Sequence, residues 1–198
     1  MGNIPTQATG KHDLTRGDED EFRNLATLLR DHLALVGGSA AQKAQTHQAH
    51  SGHLMRITAL MTMRPEGYEQ QVLALAEPIL SSPGARIDVL ARVSLAVGRI
   101  HLESSAQTVE TQYQAYVVLH QAWMNATALT GPLYDLLLVV EAGTQLALAM
   151  HRLKKVAEAG KMLRVVRSTI DTFIFTDESP KEGVEKAYAE MAVRLNLQ

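Results

Sequence analysis

From Phe22 onward, apolar residues return every three or four positions, and glycine or proline punctuates them at short intervals. This spacing lines apolar side chains along one helical face. No stretch alternates apolar and polar residues long enough to argue for a strand. The chain is therefore expected to be all-α. Asp18 with Glu21 predicts a first helix over about 18–35, stopped at Gly37-Gly38. Ser39 with Gln42 reads as a capping box for a second helix that runs to about Arg64. Pro65 begins a third, which Pro78 should kink or shorten, and Ser82-Pro83 starts a fourth. A fifth covers about 106–129. Gly131-Pro132 breaks it and begins a sixth, to Leu153. A seventh covers about 155–175, and Ser179-Pro180 with Glu182 starts the eighth.

About eight helices with short breaks predict antiparallel helical hairpins, arranged either as a compact bundle or as a repeat-like, right-handed stack. Residues 1–17 hold almost no apolar side chains and are expected to be a flexible tail before a single domain, 18–198. The 198 residues are enough to bury a core without a disulfide or metal, and there is no cysteine to supply either. The first twenty residues lack the apolar core of a secretory signal. The longest purely aliphatic run, Leu136 to Val140, is far short of the roughly 20 residues that span a membrane.

In the window "EAGTQLALAMHRLKKVAEAGKMLRVV", Leu146, Ala147 and Met150 are followed by Ala159, Leu163 and Val166. This spacing, over residues 141–166, resembles the tetratricopeptide repeat, in which small residues sit at the closest crossing of two helices. The resemblance covers about one repeat, without the repeat's usual Trp, Gly and Tyr, and implies a helical scaffold that grips a partner peptide or protein.

Side chains able to do chemistry are sparse. The chain has no phosphate loop, dinucleotide fingerprint, His-Glu-x-x-His or Gly-x-Ser-x-Gly. No catalytic residues, no cofactor and no metal site are expected. His47, His50 and His53 are spaced so that neighbouring imidazoles meet on a helix. The third, however, rotates away from the first, so the expectation is a solvated face whose histidines titrate freely.

Binding residues are easier to nominate. Val109, Tyr113, Tyr116, His120 and Trp123 are separated by four, three, four and three positions and share a helix face. Ala115, Val118, Ala122, Ala126 and Leu129 line another. The aromatic face is either core or a groove for a partner helix. No Lys or Arg occurs from 100 to 151, after which Arg152, Lys154, Lys155, Lys161, Arg164 and Arg167 arrive together. With Val156, Ala159, Leu163, Val166, Ile170 and Phe173 facing the core, Lys154, Lys161 and Arg164 should project outward as a basic face. The net charge of −2 argues against nucleic acid.

The opening "MGNIPT" fits the N-myristoylation rule, with Gly2 as acceptor and Thr6 behind it. It resembles the start of bacterial effectors lipidated inside a eukaryotic host. A single acyl chain anchors only marginally, so the Lys154–Arg167 face would supply the second signal. The expected function is a non-catalytic protein-interaction or adaptor module, cytoplasmic and free to oligomerise. The alternative is a peripheral-membrane effector anchored through Gly2, and the third is a helical enzyme without a recognisable motif.

Overall fold

The computed structural model describes residues 40–104, 106–173 and 178–195. The expected helix over 18–35, the tail and Gly2 lie outside the described residues. Seven α-helices and one short 3-10 turn make up the described chain, with no strand among the described residues. Helix α1 is Ala40–Met63, α2 Tyr68–Leu80, α3 Ile87–Glu103, α4 Val109–Thr127, α5 Leu136–Arg152, α6 Val156–Thr172 and α7 Glu178–Arg194. None of the described helices is long and apolar enough to cross a membrane.

The helix ends show how the chain punctuates itself. Helix α1 stops where Arg64 turns to φ 47 and donates its N–H to the Leu60 carbonyl at 2.9 Å. Pro65 follows and cannot continue the ladder. Pro65 does not begin the next helix, as its position suggested. Gly67, at φ 68, reverses the chain first, a left-handed conformation that glycine adopts without strain. Pro83 likewise lies in a turn, and α3 begins only at Ile87. Gly131-Pro132 opens a 3-10 turn, Gly131–Leu133, and α5 waits for Asp135, whose carboxylate accepts the Leu138 N–H at 3.1 Å. Prolines thus mark the turns ahead of the helices here, while Thr108 and Asp135 cap the helices themselves.

Helices α3 and α4 form one neighbour pair and α5 and α6 another, with α4 against α5 between them. Alternate helices also meet, α3 with α5 and α5 with α7. Helix α5 is the most enclosed, burying Val139, Val140, Ala142, Leu146 and Ala147 on several sides. Helix α1 joins through Ile57, which packs in the cluster of Val72, Ile79, Val93 and Val97.

Two glycines permit the closest approaches. A methyl group at Gly98 in α3 would stand 2.5 Å from Leu119 Cδ2 of α4. At Gly143 in α5 it would stand 2.6 Å from Trp123 Cζ3 and closer still to Val166 Cγ2 of α6. Each glycine costs its helix about 1 kcal/mol relative to alanine in propensity, so both positions are held by packing. Gly52 in α1 has nothing within 4 Å of a methyl group.

This contrast predicts opposite signs for one substitution. Gly52→Ala should stabilise by up to about 1 kcal/mol. Gly98→Ala should destabilise by about 1–3 kcal/mol, because overpacking against the fully buried Leu119 outweighs the propensity gain. Denaturant midpoints of the two variants decide it, and equal shifts in the same direction would refute the close-approach account.

Candidate functional site

Helix α4 is apolar on opposite sides. Ala115, Leu119, Ala122 and Ala126 are fully buried against its neighbours. The far side carries Val109, 77% exposed, with Tyr113 and Met124, each 52%, and the exposed Val117. Positions 109, 113, 117, 120 and 124 follow helical spacing, so this is a continuous stripe. A scattered exposed apolar residue is ordinary, but an aligned series forms a patch.

The aromatic series read from the sequence is divided by the fold. Tyr113 and Tyr116 lie with ring centroids 6.2 Å apart, and Tyr116 and His120 6.1 Å apart, as a tilted ladder. Tyr113 and His120 are exposed and Tyr116 is half-buried. Trp123 leaves the ladder. It is half-buried where two core clusters meet, above Gly143. The stripe drifts around the helix because two turns are slightly longer than seven residues, so Trp123 is carried toward α5.

The basic residues also separate. The Lys155 ammonium sits over the Tyr116 ring, 4.8 Å from its centroid, which ties the start of α6 to the ladder. Lys154 is exposed at φ 63, the left-handed residue of the α5 cap. Its N–H bonds the His151 carbonyl, and the Lys155 N–H bonds that of Met150, both at 2.9 Å. Lys161 and Arg164 are exposed on α6, and neither they nor Lys154 pair with a carboxylate among the described residues. Arg167 differs. It bridges Asp171 and Glu185, each at 2.6 Å, and so fastens α6 to α7, and the two carboxylates hold its guanidinium still more firmly protonated. Val156 and Phe173, expected in the core, are 47% and 38% exposed. They lie just inside and just beyond the ends of α6, and Phe173 stacks on Tyr134 with ring centroids 5.8 Å apart.

The histidine expectation needs correcting. His50 is buried, because His50, Leu54, Ile57 and Met61 follow four-three-four spacing on the inward stripe of α1. Burial first, then the nearby His47 and His53, lowers its tendency to protonate. His47 Nε2 lies 3.2 Å from the Gly84 carbonyl. No three metal-ligating side chains converge among the described residues.

A groove of about 250 Å³ runs beside α1, α3 and α5, floored by Leu54, Ile57, Met61 and Leu95. Its rim arginines are engaged, Arg92 with Asp135 at 2.7 Å and Arg99 with Glu141 at 3.5 Å. The rim therefore offers little uncompensated charge. Sequence reading did not single out Asp135, Gly98 or Gly143. The cap residue three positions before the Leu138 N–H was a legible signal for the first, and the glycines had none.

No family model, curated protein or solved structure matches this chain.

Trp123→Ala should cost about 3 kcal/mol, since a large ring leaves a void above Gly143. Tyr113→Ala should stay within about 0.5 kcal/mol. Equal losses in denaturant melts would refute the division of the stripe. The histidines predict a pH effect of definite sign. Burial also lowers the protonation of His101 on α3. The unfolded chain then binds more protons below the ordinary histidine value, so stability is present above that value and is lost as pH falls. Between about pH 7 and pH 5, His101→Gln should lose less stability than the native chain, and an unchanged slope would refute the burial account.

Proposed function

We propose that this chain is a non-catalytic protein-interaction module that receives a partner segment on the outward face of α4. The observation that carries the reading is the aligned exposure of Val109, Tyr113, Val117 and Met124 on a helix already packed through its other side. Aromatic and Met side chains in such a row are the usual anchors of a helix-in-groove or helix-on-face contact. The Tyr113–Tyr116–His120 ladder supplies flat surface at little entropic cost, and Lys155 beside it favours a partner with acidic flanks.

The same proposal includes a repeat-like arrangement, with α3–α4 and α5–α6 as two stacked hairpins and α7 continuing the inner row. Support comes from the meeting of α3 with α5 and of α5 with α7, the neighbour pattern of stacked hairpins. Lys154, Lys161 and Arg164 favour the lipid-anchored reading as the second. In it they face an acidic membrane surface while Gly2, outside the described residues, carries the acyl chain. Mass spectrometry of the N-terminal peptide from the native host tests that reading, and an unmodified Gly2 ends it.

For the interaction reading, a photocrosslinking residue at Tyr113 should capture one partner, with the crosslink mapped to an amphipathic segment. Tyr113→Ala with Met124→Ala should weaken that binding by about 2 kcal/mol or more while leaving the melting temperature nearly unchanged. Undiminished binding by the double variant would overturn the placement on α4.

A further inference from the structure

The ends of α1, α3, α5 and α7 and the start of α2 line an open cavity of about 650 Å³. Its charged lining is Arg64, Glu69, Glu103, Arg152 and Arg194, three arginines against two carboxylates, with Tyr68 and Gln107 beside them. These charges are not equally matched. Arg64 pairs with Glu103 at 3.0 Å, and the Tyr68 hydroxyl donates to the same carboxylate at 3.4 Å. Arg152 has no carboxylate partner among the described residues, and neither does Arg194.

Arg152 is nevertheless held in place. Its Nη1 donates to the Leu102 carbonyl and, at 2.9 Å, to Gln107 Oε1. Gln107 in turn donates to the Leu102 and Ser104 carbonyls. Neutral acceptors thus fix the guanidinium without cancelling its charge. Arg152 and Arg194 line the same cavity. Burial, and after it the like charge of Arg194, depresses the protonation of Arg152, while Glu103 acts in the opposite sense.

We propose that this cleft binds a phosphate dianion, either free or as the terminal group of a small phosphomonoester, between Arg152 and Arg194. A planar guanidinium with donors to spare suits a phosphate oxygen pair better than a point-like ammonium does. The cavity is far larger than one phosphate and lies in the range of small-molecule pockets, which leaves room for an ester. The plainer alternative is that both arginines only complement helix C-termini. Each such end carries about half a negative charge. That accounts for Arg152 Nη1 on the Leu102 carbonyl. It does not account for Arg194, which lines the same cavity with no ion-pair or hydrogen-bond partner among the described residues. This site shares no residue with the α4 stripe and stands independently of it.

The test is isothermal titration of the full chain with sodium phosphate, glycerol 3-phosphate and succinate in low-salt Hepes buffer. Saturable binding of a phosphate compound, tighter than succinate by about tenfold or more, is expected. Glycerol 3-phosphate binding more tightly than phosphate assigns the site to an ester, and equal binding assigns it to the free ion. Arg194→Gln should weaken binding about tenfold or more, and Glu103→Gln should tighten it. Arg56→Gln, an exposed arginine of α1 outside this cavity, should leave phosphate affinity unchanged. Absence of saturable binding, parity with succinate, or equal losses from Arg56→Gln and Arg194→Gln would each overturn the proposal. Arg152→Gln that lowers stability while phosphate affinity is unchanged would reduce Arg152 to a helix cap and overturn it as well. Should that variant fail to fold, Arg194→Gln decides.

Discussion

The described helices depend on two places where a side chain is missing. Helices ordinarily pack about 8–10 Å apart, a distance set by the side chains between them. At Gly98 the Leu119 side chain enters the space a methyl group would need, and at Gly143 Val166 and Trp123 do so together. These contacts bring α4 onto α3 and bring α4 and α6 onto α5. Close approach then lets α5 bury residues on several sides while still touching α3 and α7. Dispersion and apolar burial both increase with such interdigitation, which is why a helix-weakening residue is retained at each crossing.

Committing the small face of α4 to that packing has a consequence for its other face. Ala115, Leu119, Ala122 and Ala126 take up the inward side, so the large residues of the helix cannot also turn inward. Val109, Tyr113, Val117 and Met124 are left outside, while of the aromatic series Tyr116 and Trp123 pack against a core. Leaving an aligned apolar row in water forgoes roughly 25 cal/mol for each Å² that a neighbour would have covered. A partner supplies that cover in the function proposed.

Charged residues divide into fasteners and free groups. Arg92 with Asp135, Arg99 with Glu141 and Arg167 with Glu185 each join two elements. Exposed pairs of this kind contribute about 0–1 kcal/mol apiece, so they set helix register more than stability. Asp135 has two roles, capping α5 and receiving Arg92. By contrast Lys154, Lys161, Arg164, Arg152 and Arg194 form no ion pair with a carboxylate among the described residues. That charge lies where α5 ends, along the exposed side of α6 and at the end of α7.

Helical class was legible from the chain because a period of three to four is a local property. Each residue's spacing from its neighbours decides it, whatever the helix later touches. The breaks at Arg64-Pro65, Gly131-Pro132 and around Lys155 were legible for the same reason. The helix starts after proline were not, since Pro65, Pro83 and Pro132 each precede a turn whose length depends on where the next helix must dock. Small residues near the crossings could be seen in Ala115, Ala122 and Ala159, but not which positions make the closest contact. Gly98 and Gly143 acquire that role from crossing angles, which involve residues far apart in the chain. The same holds for the aromatic stripe, where spacing aligns Tyr113 through Trp123 but cannot say where the neighbouring helix ends. His50 and Arg152 show the limit most clearly. The spacing of His47, His50 and His53 and the basic run from Arg152 were visible in the chain, but not that His50 and Arg152 are changed by burial, because desolvation depends on what surrounds a group in space.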